Sequence, residues 1–134
     1  MTRTELDALA SAYFDAVCAG DAERLRAIFA DDVKWRVPQG AIEPYAGVHE
    51  GAERIIGMML GATDGAFVAG SQVFEVRSTL IEGDLVCKET RMTAEAPDGR
   101  HYENDYTFFF VIRDGRIAEI REHVDTRYAA NFFA

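Results

Sequence analysis

Apolar residues recur at helical spacing through Leu6, Leu9, Ala10, Tyr13 and Val17, and Gly20 stands where a helix-ending glycine belongs. This predicts a first helix over about Thr4–Ala19. Asp21 can cap a second, short helix with Leu25, Ile28 and Phe29 on its apolar side. Val33, Trp35 and Val37 then alternate with Lys34 and Arg36, which is strand periodicity, and Pro38 ends the run. A loop over Gln39–Gly47 and a helix over about Gly51–Leu60 follow, the helix turning Ile55, Ile56, Met59 and Leu60 to one side. The second half is rich in β-branched and aromatic residues. Four strands are expected there, over Phe67–Ile81, Leu85–Glu95, Tyr102–Ile112 and Arg116–Val124, separated by turns at Gly83, Gly99 and Gly115. Asp125 can cap a last helix, Thr126–Phe133. The order ααβ–α–ββββ–α describes a single α+β domain over residues 1–134, with helices covering one face of an antiparallel sheet.

Hairpin register adds to this picture. A four-residue loop, Ala96–Gly99, sets Glu95 opposite Arg100, which puts Glu89 opposite Tyr106 and Arg91 opposite Asn104. A three-residue loop at Arg113–Gly115 sets Tyr106 opposite Glu122, Asn104 opposite Val124 and Phe108 opposite Ile120. A two-residue Asp114-Gly115 loop would place Phe108 on the face of Arg121, so it is disfavoured. The covered face then carries Phe108, Phe110 and Ile120 beside a polar row of Glu89, Arg91, Asn104, Tyr106 and Glu122. Polar groups there need partners or water, so a hollow between sheet and helices is expected. The opposite face carries Val86, Met92, Phe109, Val111 and Ile117. Such an apolar patch is most economically covered by a second copy, so a homodimer through the outer sheet face is expected.

Charge narrows the partners. With 23 acids and 14 bases the net charge is −9, a poor match for nucleic acid or an anionic membrane. No apolar run reaches the ~20 residues of a membrane span, and the polar start of the chain is unlike a signal peptide. The expected location is the cytoplasm. Arginine far outnumbers lysine, as in GC-rich bacterial genomes. Cys18 and Cys87 stand apart from each other and from histidines, and the three histidines do not converge on carboxylates, so neither a disulfide, a metal nor any cofactor is expected.

Several segments resemble the nuclear transport factor 2-like superfamily, which includes SnoaL-like polyketide cyclases, ketosteroid isomerase and limonene-epoxide hydrolase. They are Tyr13-Phe-Asp-Ala-Val-Cys-Ala-Gly-Asp21, Phe29-Ala-Asp-Asp-Val33, Tyr45-Ala-Gly-Val-His-Glu-Gly51, Asp114-Gly-Arg-Ile117 and Arg121-Glu-His-Val-Asp-Thr126. The SnoaL-like branch is most similar. The resemblance implies a cone-shaped fold, a homodimer and a deep hydrophobic pocket. Against ketosteroid isomerase, Tyr13 matches the helix tyrosine, but Val37 occupies the base position and Tyr106 lies near the acid position. Against limonene-epoxide hydrolase, the two carboxylates and the arginine fall on Glu89, Arg91 and Glu122, with the arginine and one carboxylate exchanged.

These readings make Glu89 and Glu122 the expected acid and base, with Arg91 and Tyr106 orienting. Tyr13, Trp35, Asn104, Phe108, Phe110 and Val124 are the expected ligand-binding set, for a small hydrophobic molecule bearing oxygen. Isomerisation, cyclisation, dehydration and hydrolysis all fit. Plainer readings stand beside this one. Glu89, Arg91 and Glu122 can be an internal ion-pair network, Tyr13 can be core, His49 can mark the start of a helix, and the domain can bind a ligand or a partner without catalysis.

Overall fold

The computed structural model describes residues 1–134. The elements are α1 (Arg3–Ala19), α2 (Ala22–Ile28), β1 (Phe29–Val37), β2 (Gly47–Glu50), α3 (Ala52–Thr63), β3 (Val73–Glu82), β4 (Leu85–Glu95), β5 (His101–Arg113), β6 (Arg116–Val124) and α4 (Thr126–Phe132). The strands form one open sheet in the order β2-β1-β6-β5-β4-β3. Only β1 and β6 run parallel. No helix is long and apolar enough to cross a membrane.

Local chemistry sets the helix ends. The Thr2 hydroxyl accepts from the Glu5 amide, and the Glu5 carboxylate accepts from the Thr2 amide, so α1 begins in a closed capping box. Gly20 ends α1 in the left-handed conformation, as its position in the sequence implied. Asp21 caps α2 through the Arg24 amide, and Asp125 caps α4 through the Tyr128 amide. Inside the sheet, Leu6, Ala10, Tyr13, Phe14 and Val17 of α1 pack with Ile55, Ile56 and Met59 of α3 against Phe108, Phe110 and Ile120. Lys88 points inward as well. Its buried ammonium donates to Asp7 and Thr79, which ties β4 to α1.

Two registers differ from expectation, for different reasons. Glu95 pairs with His101 instead of Arg100, so the β4–β5 loop has five residues, Ala96–Arg100. Asp98 accepts from the Arg100 amide, and Gly99, at φ 92°, donates to the Ala96 carbonyl. The added residue turns every β4 side chain to the opposite face. Val86, Lys88, Thr90, Met92 and Ala94 are therefore buried, and Glu89 and Arg91 lie on the outer face. The apolar choice explains the outcome. This register buries Val86 and Met92 with one charge, Lys88, which Asp7 pairs, whereas the expected one would have buried both Glu89 and Arg91.

In the last hairpin, Arg113 pairs with Arg116 across the two-residue Asp114-Gly115 turn that parity had disfavoured. Both turn residues have positive φ, 52° and 75°, which suits the twist of a tight hairpin. A bulge around Ile117 and Ala118 restores the parity, and both residues are buried. Tyr106 consequently faces Val124, Phe108 faces Glu122, and Phe110 faces Ile120. The inward set on β5 and β6 is as expected, displaced by one step along the face.

Other corrections follow from these. Val86, Met92 and Ile117 are buried core residues. Of the expected outer patch, Phe109 and Val111 remain on that face. Strand β3 begins only at Val73. The short β2 pairs with β1 where a loop was expected, placing His49 opposite Trp35. Its four residues are too few to show a strand's periodicity.

Candidate functional site

A cavity of about 350 Å³ lies between the inner face of the sheet, α1, α3 and α4. It is within the range of small-molecule sites. Trp35 of β1, Phe74 of β3, Met92 of β4, Phe108 of β5 and Val124 of β6 wall the sheet side, and Tyr13 and Met59 wall the helix side. Seventeen of its 21 lining residues are hydrophobic, and the other four are Thr63, Gln72, Glu122 and Thr126. No lysine, arginine or histidine is among them. Glu122 is therefore the only carboxylate in the wall, and nothing cationic faces it.

The sequence places Glu122 there by strand alternation. Ile120 is fully buried, and Glu122 and Val124 follow it on the same face of β6. Trp35 pairs beside Ile120 across the parallel β1–β6 ladder. From there its indole Nε1–H donates to Glu122 Oε1 at 3.3 Å. His49 stacks at a tilt behind Trp35, with ring centroids 5.6 Å apart. The His49 Nε2–H donates to the Tyr45 carbonyl at 2.7 Å, which fixes the ring. His49 thus supports the tryptophan and lies outside the cavity wall.

Burial in this apolar wall pushes the Glu122 carboxyl up to about 7, and the Trp35 hydrogen bond opposes that rise only in part. Near neutral pH the group is divided between acid and carboxylate. Such a group can take a proton or give one. Burial also raises the Tyr13 phenol well above its ordinary value, and the negative charge of Glu122 adds to the effect. The Tyr106 phenol is raised for the same first reason, with Tyr102 and Glu122 adding. Both phenols keep their protons and remain hydrogen-bond donors.

Tyr106, Phe108 and Phe110 form a ladder of stacked rings along β5, with successive centroids 5.8 and 5.9 Å apart. Tyr13 packs its ring on Phe108 and Phe110 at 5.8 and 5.3 Å, and its hydroxyl reaches Met59 Sδ at 3.9 Å. The ladder and Tyr13 make one wall both core and cavity lining.

Of the residues singled out in the sequence, the cavity wall collects Glu122, Tyr106, Tyr13, Trp35, Phe108 and Val124. It does not collect the other four. Phe110 is fully buried one step deeper in the ladder. Asn104 is buried within a hydrogen-bond network beside the cavity. Glu89 bonds Ser78, and Arg91 pairs with Glu103 and Asp105, on the outer face. The β4 register, one residue from expectation, put both there. Met59, Phe74, Gln72 and Thr126 were not anticipated. Met59 lies on the predicted apolar side of α3 and could have been found. Gln72 lies just before β3, in a stretch expected to belong to that strand, and was not singled out there.

The chain matches the profile of the SnoaL-like domain over residues 10–120. Among solved structures, an NTF2-like protein from Burkholderia xenovorans is 23% identical, with TM-score 0.77, and the match covers 100% of this chain and 99% of that one. IdmH from Streptomyces antibioticus, a candidate polyketide cyclase, is 21% identical, with TM-score 0.78 over 96% and 97% of the two chains. TerC, crystallised with polyporic acid, is 19% identical, with TM-score 0.82 over 96% and 97%. At these identities the likeness is one of fold. No curated protein matches the sequence. The profile match spans most of the chain, and the protein belongs to the SnoaL-like domain family.

Proposed function

We propose that the cavity takes a small, neutral, oxygen-bearing hydrophobic molecule and that the protein moves a proton next to one of its carbonyl groups, as an isomerase or cyclase does. The observation that carries this reading is a lone carboxylate, raised to about 7, in an otherwise apolar wall. The ionised Glu122 would take a proton from the carbon beside the carbonyl. The negative charge passes to the carbonyl oxygen, and the Tyr106 O–H would donate to it. The same carboxyl can return the proton at another carbon, completing an isomerisation. Alternatively the enolate carbon can attack a second carbonyl in the molecule, closing a ring, and the oxygen of that carbonyl takes the proton back from Glu122 as a hydroxyl. An anionic ligand group would meet Glu122 with no cation to offset it, which favours neutral substrates.

The polyketide-cyclase description of IdmH is compatible with this chemistry. A homodimer through the outer sheet face, where Phe109 and Val111 lie, belongs to the same proposal. The test uses 2-tetralone, a neutral two-ring ketone with exchangeable protons beside its carbonyl. Proton NMR in D₂O should show catalysed loss of those protons, with a rate that rises with pH through about 7 as Glu122 ionises. Binding without exchange would make the protein a ligand carrier. No binding would remove the reading.

A further inference from the structure

We infer that Asn104 is a positioning residue that fixes the direction of a hydrogen-bond chain, so that Tyr106 presents its proton to the cavity. The inference rests on the reading of Tyr106 as the donor to a bound carbonyl. Asn104 is buried, and two backbone groups fix its amide. Its Oδ1 accepts from the Asp105 N–H at 2.8 Å, and its Nδ2 donates to the Asp125 carbonyl at 3.1 Å. Turning the amide over would set oxygen against carbonyl and N–H against N–H. In its fixed orientation the Nδ2 also donates to the Tyr102 hydroxyl at 3.0 Å.

The consequence passes along the strand. Tyr102 and Tyr106 are four residues apart and both turn inward from β5, with hydroxyls 2.7 Å apart. Either oxygen could donate in that bond, and Asn104 decides which one does. Tyr102 is fully buried, and its oxygen already accepts from Asn104. If it also accepted from Tyr106, its own proton would have no acceptor among the protein groups around it, which the rarity of unpaired buried donors argues against. Tyr102 therefore donates to Tyr106. The Tyr106 proton has no protein acceptor and is left pointing at the cavity that Tyr106 lines. The chain runs from Asn104 to Tyr102 to Tyr106 to ligand, and each bond strengthens the next.

The inference makes Asn104→Asp a reversal of this chain. An ionised Asp at 104 accepts from Tyr102. A protonated one gives its proton to the Asp125 carbonyl and still accepts from Tyr102. Tyr102 is then left to accept from Tyr106, and the cavity loses its donor. The readout is the infrared carbonyl stretch of ¹³C=O-labelled 2-tetralone at saturation, which falls in frequency when the oxygen accepts a hydrogen bond. Wild type should show a lowered frequency, and Tyr106→Phe should lose that lowering. Asn104→Asp should lose most of it with Tyr106 still present. Asn104→Leu, which removes a donor without adding an acceptor, leaves the direction unset and should keep part of it, more than Asn104→Asp. A purely structural role would predict the opposite order for the last two. Should Asn104→Asp fail to fold, Asn104→Thr makes the same test, because its hydroxyl can donate to Asp125 and accept from Tyr102. If Tyr106→Phe leaves the frequency unmoved, Tyr106 is not the donor, and the inference falls with it. If Tyr106→Phe moves the frequency and neither Asn104→Asp nor Asn104→Thr does, the role of Asn104 alone is overturned.

Discussion

Glu122→Gln is expected to lower the proton-exchange rate of 2-tetralone by roughly 10²–10⁴-fold, the usual contribution of a positioned general base. Glutamine has the same shape and can still accept from the Trp35 indole, so the wall is preserved. What it lacks is a site that exchanges a proton near pH 7. Stability should move the other way. The folded carboxyl titrates at about 7, above its ordinary 4.5, so the charged form is the one that burial penalises. The stability linked to this group is fully present below about 4.5 and is lost as pH rises through about 7. At pH 8 the Gln variant should therefore exceed wild type by up to about 3 kcal/mol, and at pH 4 the two should agree. Urea unfolding at the two pH values measures this. A variant that is inactive yet more stable could not owe its inactivity to unfolding. Glu89→Gln, on the outer face, should leave the exchange rate unchanged.

The second large effect is on folding. Phe110→Ala should destabilise the protein by about 3–5 kcal/mol, as a shift of the urea midpoint at constant slope. Phe110 is fully buried and meets Tyr13, Phe14 and Phe108 at ring-centroid distances of 5.3 to 5.9 Å. The close-packed rings around it are held by their own neighbours and can collapse into the space only in part. A cost below about 1 kcal/mol would mean that the void merges with the neighbouring cavity at little expense, and that the ladder contributes less than its burial implies.

The sequence made the helices and the inner face of β5 and β6 legible. Capping residues act over three or four positions, so Asp21, Gly20 and Asp125 could be read from the chain alone. Phe108, Phe110 and Ile120 fix the parity of their strands because no other face could hold them. The β4 register was harder. Its odd and even positions each mix apolar and polar residues, so the outcome depended on one residue of loop length near Gly99. That single residue carried Glu89 and Arg91 out of the candidate site. In the last hairpin two departures cancelled. A shorter turn and a bulge near Ala118 left Tyr106 and Glu122 facing inward, although their cross-strand partners changed. Glu122 survives because it follows Ile120 by two on one strand, a relation that no loop can alter. Its isolation was not legible, since that depends on the β4 register carrying Arg91 to the outer face and on Asp7 holding the inward Lys88.

The central claim is that Glu122 stands alone in an apolar wall and exchanges its proton near neutrality. Carbon-13 NMR of protein labelled at the glutamate side-chain carboxyl carbon tests it directly, with Glu122→Gln identifying the resonance. One carboxyl should titrate with a midpoint near 7 and should be missing from the variant spectrum. A Glu122 midpoint at the ordinary value near 4.5 would mean that water or an unrecognised partner reaches the group, and would contradict the account.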